Sequence, residues 1–327
     1  MRASWAFGAA FIVALTAGGA SAQSGAEFFK GKTVSYIVPT DPGGGYDTNG
    51  RLVAEFMEKY LPGSTFVVRN MPGAGQILGT NFLAASKPDG LTIGTFNTGL
   101  IYNQLIDDAA IKFDLNEMSY IGKVAADPRA IIVSAKSGID SFEGLASLPA
   151  PVKFATCGIS CVFESTMLIE TLDLPIELVT GYNGNEDQLA MRRGEVAGVI
   201  GSRSSFEQFV ADGNGKFIAQ IGGTQTDTPQ LADLADDAAG QAIALAATQA
   251  EIARMTAGPA GIPEDRLEAL RDAYRAATSD PEFMKKAAAM KQPVEPLVGT
   301  DVQNAVIGAL DQTPEMVEIL KGAVTRP

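Results

Sequence analysis

Apolar and polar positions alternate along this chain in a way that predicts short strands separated by amphipathic helices. We expect the first strand at Val34–Val38 and, after a glycine-rich loop, a helix over Asp47–Tyr60 with one apolar face. Phe66–Arg69 predicts the second strand, Ile77–Ala85 a helix and Leu91–Phe96 the third strand. Strands that alternate with helices are typical of a parallel sheet flanked by helices, so the pattern indicates an α/β fold.

The same alternation continues through the second half of the chain. Further strands are expected at Tyr120–Val124, Ala130–Val133, Val152–Ala155, Ile176–Val179, Val196–Ile200 and Phe217–Ile221. The C-terminal part changes to helices, which begin with proline or a capping residue at Pro263–Thr278, Pro281–Met290 and Asp301–Leu320. No low-complexity linker divides the chain. Two lobes would therefore be joined by more than one crossing, near Val124–Ile132 and near Ile221.

The N-terminus has the pattern of a secretory signal peptide. Arg2 precedes an apolar run from Trp5 to Leu15, and Ala20-Ser21-Ala22 provides the small residues of a cleavage site. We expect residues 1–22 to be removed after Ala22, which leaves about 305 residues and a periplasmic protein. No later apolar run reaches the length that crosses a bilayer. The residue directly after the cleavage site is not a cysteine, so the sequence does not indicate attachment of a lipid there.

Charge and histidine content exclude several classes of function. Without Arg2 the chain has 24 Lys and Arg against 38 Asp and Glu, a net charge of about −14, which argues against nucleic acid and anionic membranes as partners. Histidine is absent, so Ser-His-Asp and Cys-His catalysis and His-ligated zinc are excluded. We expect no metal and no cofactor.

The chain has two cysteines, Cys157 and Cys161, which lie four residues apart. In an oxidising compartment they can form a disulfide or remain two small buried thiols. A disulfide across one helical turn has awkward geometry, so the sequence leaves both alternatives open.

Three expected strand ends are followed by loops of glycine and small polar residues: Pro39–Asp47, Asn70–Gly75 and Phe96–Gly99. In a parallel sheet such loops lie side by side at the carboxyl ends of the strands, where open α/β folds bind ligands. Helix N-termini there offer free backbone N–H groups, and glycine lets a ligand approach them closely. Phosphate motifs are absent. The loops therefore predict a site for a small anion such as a carboxylate.

The three loops also carry a family resemblance. Val38-Pro39-Thr40-Asp41-Pro42-Gly43-Gly44-Gly45-Tyr46-Asp47, then Val68–Gly75, then Lys87–Thr92 resemble, in order and spacing, the receptors of tripartite tricarboxylate transporters, also called Bug proteins. Gly181–Gly184 and Gly258–Pro263 are similar to two later segments of that family. The resemblance implies a type II periplasmic-binding fold, with two α/β lobes and a ligand cleft between them. Its boundaries would be residues 23–125 plus 222–327 for lobe 1 and 126–221 for lobe 2.

Carried over residue by residue, the resemblance implies a set of ligand-binding residues. From the first lobe these are Thr40, Gly43, Gly44, Asp47, Ala74, Gly75, Asn97 and Thr98. From the second lobe they are Tyr182 and the segment Thr156–Cys161, with Cys157, Ser160 and Cys161. That segment departs from the family's Ser/Gly run ending in histidine.

Three side chains have two interpretations each. Asp47 either orients the first loop through its N–H groups or caps the following helix, and we favour the cap. Tyr182 either closes over the ligand or packs in the core, and its glycine- and asparagine-containing turn favours the site. Arg203, after the strand Val196–Ile200, either pairs with a ligand carboxylate or lies solvated near a helix start.

These observations predict a monomeric receptor that captures a small mono- or dicarboxylate and delivers it to membrane permease subunits. A ligand-sensing subunit for a membrane signalling partner would share the fold and the site. An exported enzyme without histidine is the third alternative, and it would need a carboxylate pair, a lysine Schiff base or a thiolate. No such assembled catalytic group is evident in the sequence.

Overall fold

The described part of the chain forms two β-sheets with helices packed against them, so the α/β class expected from the sequence is confirmed. The structure, a computed structural model, describes residues 21–156, 159–182, 186–235, 239–290 and 292–325. Of the predicted signal peptide, only Ser21 and Ala22 lie within these ranges, at the start of helix α1 (Ser21–Phe28). Cleavage after Ala22 stays a prediction. Within the described ranges, no helix has the length and apolar character needed to cross a membrane.

The first sheet holds six strands in the order β11-β4-β10-β3-β1-β2. These strands are β1 (Thr33–Val38), β2 (Thr65–Asn70), β3 (Thr92–Phe96), β4 (Ser119–Lys123), β10 (Met255–Gly258) and β11 (Leu297–Val298). β1 pairs in parallel with β2 and β3, as the alternating pattern predicts. Its helices in the N-terminal part are α2 (Gly45–Tyr60), α3 (Ile77–Ala84) and α4 (Leu100–Leu105).

The second sheet holds five strands in the order β7-β6-β8-β5-β9. They are β5 (Arg129–Ser134), β6 (Val152–Ala155), β7 (Ile176–Val179), β8 (Gly198–Ser202) and β9 (Gly215–Ile221). The helices between them are α5 (Phe142–Ala146), α6 (Ile159–Thr171), α7 (Glu186–Arg193) and α8 (Arg203–Ala211). β8 begins two residues later than the expected Val196–Ile200, because the turn after α7 takes up Glu195 and Val196.

The remaining chain is mostly helical. It forms α9 (Leu231–Leu234), α10 (Gly240–Glu251), α11 (Glu264–Thr278), α12 (Pro281–Ala289), α13 (Thr300–Leu310) and α14 (Pro314–Thr325). The expected single helix Asp301–Leu320 is wrong. It is two helices, because Pro314 lacks the N–H of a helix interior and instead begins a new helix.

The parallel sheet expected from the alternation describes only part of each sheet, because each contains an inner antiparallel strand. β10 runs antiparallel to β3 and β4, and β5 runs antiparallel to β8 and β9. Both strands follow a passage of the chain from one sheet to the other: β5 follows β4, and β10 returns after β9, α9 and α10.

The strands divide between the two sheets by their position along the chain, but the helices do not separate as cleanly. All strands within 129–221 belong to the second sheet, and the strands before and after belong to the first. α14, however, packs against α6 of the second half, and α10 contacts both α6 and β9. One hydrophobic cluster extends from Ile37 and Phe96 to Phe163 and Leu320. The residue boundaries of the lobes remain a prediction.

Candidate functional site

A cavity of about 430 Å³ lies between the two sheets and is lined from both sides. The loops after β1, β2 and β3 contribute Gly45, Tyr46, Gly75, Gln76, Asn97 and Thr98. The second half contributes Asp127, Arg129, Cys161, Glu164, Ser202 and Ser205. The three glycine-containing loops thus meet at one site, as the order of strands and loops in the sequence predicts.

The first loop brings the N-terminus of α2 to the cavity. The first hydrogen bond of that turn runs from the Thr48 amide to the Gly44 carbonyl, 2.9 Å away. The amides of Gly45 and Tyr46 lie before this first hydrogen bond, so no carbonyl of the helix accepts from them. The N-cap, Gly44, has no side chain to occupy them. This end of α2 therefore offers free donors and a partial positive charge to a ligand.

The second loop approaches the cavity in a left-handed conformation. Ala74, Gly75 and Gln76 have φ values of 47°, 62° and 80°. Two of the three residues carry a Cβ, and such residues adopt this region only when the surrounding structure requires it. Gln76 lines the cavity, and its Oε1 is buried without a hydrogen-bond partner. The strained loop thus holds an unused acceptor at the site.

The third loop is held by its own asparagine. The Asn97 Oδ1 accepts the Gly99 amide at 2.7 Å, which fixes the turn into α4. Asn97 and Thr98 line the cavity, as does Tyr102 on α4. Burial, and secondarily the charge of Glu164, raises the pKa of the Tyr102 hydroxyl well above 10.0. This hydroxyl is therefore neutral and can donate a hydrogen bond.

On the second half, Arg129 and Glu164 form a buried ion pair in the cavity wall. The Arg129 Nε donates to both Glu164 oxygens, at 2.7 and 3.0 Å. Burial disfavours the arginine charge, but Glu164 and Asp127 outweigh this effect and raise the pKa of Arg129. The Nη2 of Arg129 also lies 3.9 Å from the Cys161 Sγ. Each charge of this pair is thus balanced within the protein.

Arg254 contributes a second guanidinium, and sequence reasoning missed it. Its Nε is buried without a hydrogen-bond partner, and within the described ranges no carboxylate forms an ion pair with it. The guanidinium lies 5.3 Å from the centroid of the Tyr46 ring. It packs so closely on α2 that a Cβ at Gly45 would lie 2.9 Å from its Nη1. Arg254 therefore stands beside the free amides of α2 with its charge uncompensated.

Gln249 and Asp127 complete the polar lining. Gln249 is 4% exposed, and its side chain lies near the Tyr102 hydroxyl, where it opposes the rise of that group's pKa. Asp127 accepts hydrogen bonds at Oδ1 from the hydroxyls of Ser202 and Ser204, at 2.6 and 3.1 Å. Burial, with Asp127 adding to it and Arg254 opposing it, raises the pKa of Tyr46 to about 12. The cavity thus combines neutral donors, one balanced ion pair and two separate charges.

Five predicted residues stand beside the cavity lining and not in it: Thr40, Gly43, Gly44, Asp47 and Ala74. Asp47 does not cap α2, since Gly44 is the N-cap, and the favoured interpretation is wrong. The alternative is what the structure contains: the Asp47 carboxylate accepts the Gly43 amide at 2.9 Å and the Asn70 side chain at 2.8 Å. Asp47 therefore shapes the first loop, because it lies in the first turn of α2 and its carboxylate reaches back to the loop that precedes the helix.

In the second half, the predicted residues have different surroundings. Cys161 lines the cavity and is disulfide-bonded. Cys157, the only other cysteine of the sequence, lies outside the described residues, as does the side chain of Ser160. Tyr182 is not part of the cavity lining; it packs against the hydrophobic cluster that contains Met191 and Phe209. Its role at the ligand stays a prediction, while its contacts are those of a core aromatic.

Arg203 corrects the prediction of a ligand ion pair. Its Nη2 pairs with Asp227 at 2.8 Å, and its Nη1 donates to Gln220 and Thr228. The guanidinium also stacks on Phe217, 4.2 Å from the ring centroid, and the residue is 4% exposed. It is absent from the described cavity lining. Arg203 therefore connects α8 to β9 and to the segment after β9. Its acceptors are distant in sequence, so only the tertiary structure brings them into contact with the guanidinium.

Known proteins resemble this chain in sequence and in fold. Protein BugT of Bordetella pertussis is 30% identical over 147 residues, 42% of this chain and 44% of that protein. A TctC solute-binding protein from Polaromonas covers 90% of this chain and 98% of that chain, with a TM-score of 0.69 and 17% identity. MatC from Rhodopseudomonas palustris with bound malate matches over 88% of this chain and 99% of that chain, with a TM-score of 0.66 and 18% identity. Residues 50–321 match the family described as the tripartite tricarboxylate transporter family receptor, and the chain belongs to that family.

Proposed function

We propose that this chain is a periplasmic receptor that binds a small organic carboxylate in the cavity between its sheets and delivers it to a membrane permease. One observation carries the proposal: the uncompensated guanidinium of Arg254 lies beside the free N-terminal amides of α2. Both groups favour a carboxylate oxygen, the first by a charge-assisted hydrogen bond and the second through backbone donors.

The size and surroundings of the cavity support the same ligand class. About 430 Å³ falls within the range of roughly 300–1,000 Å³ that small-molecule sites occupy. Family membership supports transport as the purpose of binding, and a family neighbour, MatC, holds malate in its structure. The signal-peptide pattern of residues 1–22 supports export to the periplasm.

The test is ligand binding with and without Arg254. Purified mature protein is screened by thermal shift against small organic acids, and hits are measured by titration calorimetry. A ligand at a hundred times its Kd should add about 2.7 kcal/mol of stability. Because a hydrogen bond to a charged group contributes about 1.5–3 kcal/mol, Arg254→Gln should weaken binding by roughly 10- to 150-fold.

Arg275→Gln is the matched control, because Arg275 is 57% exposed and pairs with Asp272 on the same helix. This variant should bind like the unaltered protein. The proposal fails if no organic acid binds, or if Arg254→Gln folds normally and binds every hit as tightly as before. Consumption of a bound acid would instead indicate an enzyme.

A further inference from the structure

The charges of the cavity lining fall into one balanced pair and two separate ions. Four lining residues within the described ranges are charged: Asp127, Arg129, Glu164 and Arg254. Arg129 and Glu164 have side chains that are 16% and 5% exposed, and they pair at 2.7 Å. Arg129 also attracts Asp127 at longer range. Since its contact partner is Glu164, the two charges that have no contact partner are those of Arg254 and Asp127.

Asp127 forms no ion pair at contact distance in the described part of the chain, although Arg129 attracts it at longer range. Its two side-chain hydrogen bonds come from neutral hydroxyls, Ser202 and Ser204, and both go to Oδ1. Hydroxyl donors orient a carboxylate without neutralising it. The second oxygen, Oδ2, accepts no hydrogen bond from the described residues. Asp127 therefore presents a negative charge in the cavity wall.

Arg254 and Asp127 belong to the same part of the cavity. Both act electrostatically on Tyr46, Arg254 favouring and Asp127 opposing the ionisation of its hydroxyl, whose pKa is raised to about 12 mainly by burial. The two charges do not form an ion pair with each other in the described structure, so a ligand can be placed between them. The neutral donor Gln249 Nε2, in a residue only 4% exposed, lies in the same lining.

We infer that the ligand is a small zwitterion, with a carboxylate that faces Arg254 and an ammonium group that faces Asp127. A second carboxylate would meet Asp127, a like charge, at close range within the protein, where repulsion is stronger than in bulk water. A simple monocarboxylate would cover Asp127 and leave it without a cation at contact distance, which is costly. The inference rests on the proposed function and narrows the ligand class to amino acids.

The experiment compares acids of equal carbon number that differ only in the second charged group. Titration calorimetry at pH 7 uses 2-, 3- and 4-aminobutanoate against butanoate and succinate, and 6-aminohexanoate against hexanoate and adipate. We expect the best amino acid to bind at least tenfold tighter than its matched monocarboxylate and dicarboxylate. Equal or tighter binding of the matched acid or diacid would overturn the inference and leave the carboxylate receptor standing. Binding of no carboxylate at all would overturn both.

Asp127→Asn tests the residue itself, because it removes the charge and keeps the shape and the acceptor for Ser202. We expect amino acid affinity to fall at least tenfold while succinate or adipate affinity rises, a change of selectivity that loss of packing alone would not produce. Asp311→Asn, an exposed position at the end of α13, is the control and should change neither. If selectivity in a folded Asp127→Asn protein is unchanged, the assignment is wrong. The ligand comparison on the unaltered protein decides the inference even if this variant does not fold.

Discussion

Two arginines show how the same residue type takes different roles according to the acceptors around it. Arg203 follows a strand end and a small polar loop, and Arg254 immediately precedes a four-residue strand. The two Nη groups of Arg203 donate to Asp227, Gln220 and Thr228. The Nε of either arginine has no hydrogen-bond partner, but Arg254 also lacks an ion pair among the described residues. The fold therefore satisfies the first within the protein and leaves the second free for a ligand.

Arg203→Gln should lower stability and leave ligand affinity unchanged. The substitution removes a buried guanidinium that joins α8 to β9 and leaves Gln220 and Thr228 without their donor, so we expect a loss of about 2 kcal/mol in the free energy of unfolding. Urea denaturation measures the stability, and calorimetry at a temperature where the variant is folded measures the affinity. A tenfold loss of affinity in the folded variant would show instead that Arg203 contributes to ligand binding.

Contacts near both ends fix the position of helix α2, a close approach at Gly50 and a set of hydrogen bonds to Asp280. Near its start, Gly50 lets the helix approach β1: a Cβ there would lie 2.7 Å from Val38 Cγ2 and 3.2 Å from Tyr36 Cε1. Near its end, Lys59 and Tyr60 both bind the Asp280 carboxylate, which is also the N-cap of α12. The position of α2 determines where its free amides lie.

Gly50→Ala should destabilise the protein despite the helical preference of alanine. The added methyl group meets a buried β-branched side chain that cannot easily move, and overpacking of this kind costs about 1–3 kcal/mol. Gly308→Ala on α13 is the matched control, because no atom lies within 4 Å of the added group. There the change should stabilise by about 0.5–1 kcal/mol. Urea denaturation of both variants gives the comparison, and equal effects would contradict the close approach of α2 to β1.

The hydrogen bonds that Asp280 accepts from Lys59, Tyr60 and the Glu282 amide predict a pH dependence of stability. The hydrogen bond from Lys59, with the Glu282 amide, lowers the pKa of Asp280 from 3.8 to about 2. A carboxylate with a lower pKa in the folded state stabilises it fully above the unfolded value and loses this contribution as the pH falls from about 4 to 2. Asp280→Asn should therefore flatten the decline of stability between pH 4 and 2. Parallel urea titrations at several pH values test this, and an unchanged slope would exclude the contribution.

At the scale of the whole molecule, the C-terminal helix joins the two halves. α14 follows elements of the first sheet but packs on α6, and α6 carries Cys161 and Glu164 of the cavity wall. One hydrophobic cluster runs through both halves. The cavity wall therefore depends on a segment at the far end of the chain.

Leu320→Ala should destabilise the protein in one cooperative transition. Leu320 is fully buried in α14, and a leucine-to-alanine change at such a position costs about 2–5 kcal/mol. Ile307→Ala on α13, where the side chain is 42% exposed, should change stability by less than about 0.5 kcal/mol. Thermal unfolding followed by calorimetry distinguishes one transition from two. Two separated transitions would show that the halves unfold independently and that α14 does not couple them.

Local patterns in the sequence predicted most strands and helices close to their observed positions. β6 and β7 have the expected bounds, and β1, α2 and α3 differ by one or two residues. The four-residue strand β10 escaped prediction, because so short an apolar run between a helix and a glycine-proline segment has no periodicity to recognise. Of the site, the three glycine-containing loops were predicted and the charged residues Asp127, Arg129, Glu164 and Arg254 were not.

By itself the sequence determined what depends on near neighbours: the period of the apolar residues, the loops at strand ends and the motifs of the receptor family. The tertiary structure decided the direction of β5 and β10 and the pairing of the charges. Arg129 meets Glu164 across 35 positions and Arg203 meets Asp227 across 24. An ion pair depends on distances in space between side chains that are remote along the chain. Only the folded structure brings the pairing acids to Arg129 and Arg203 and leaves Arg254 without one among the described residues.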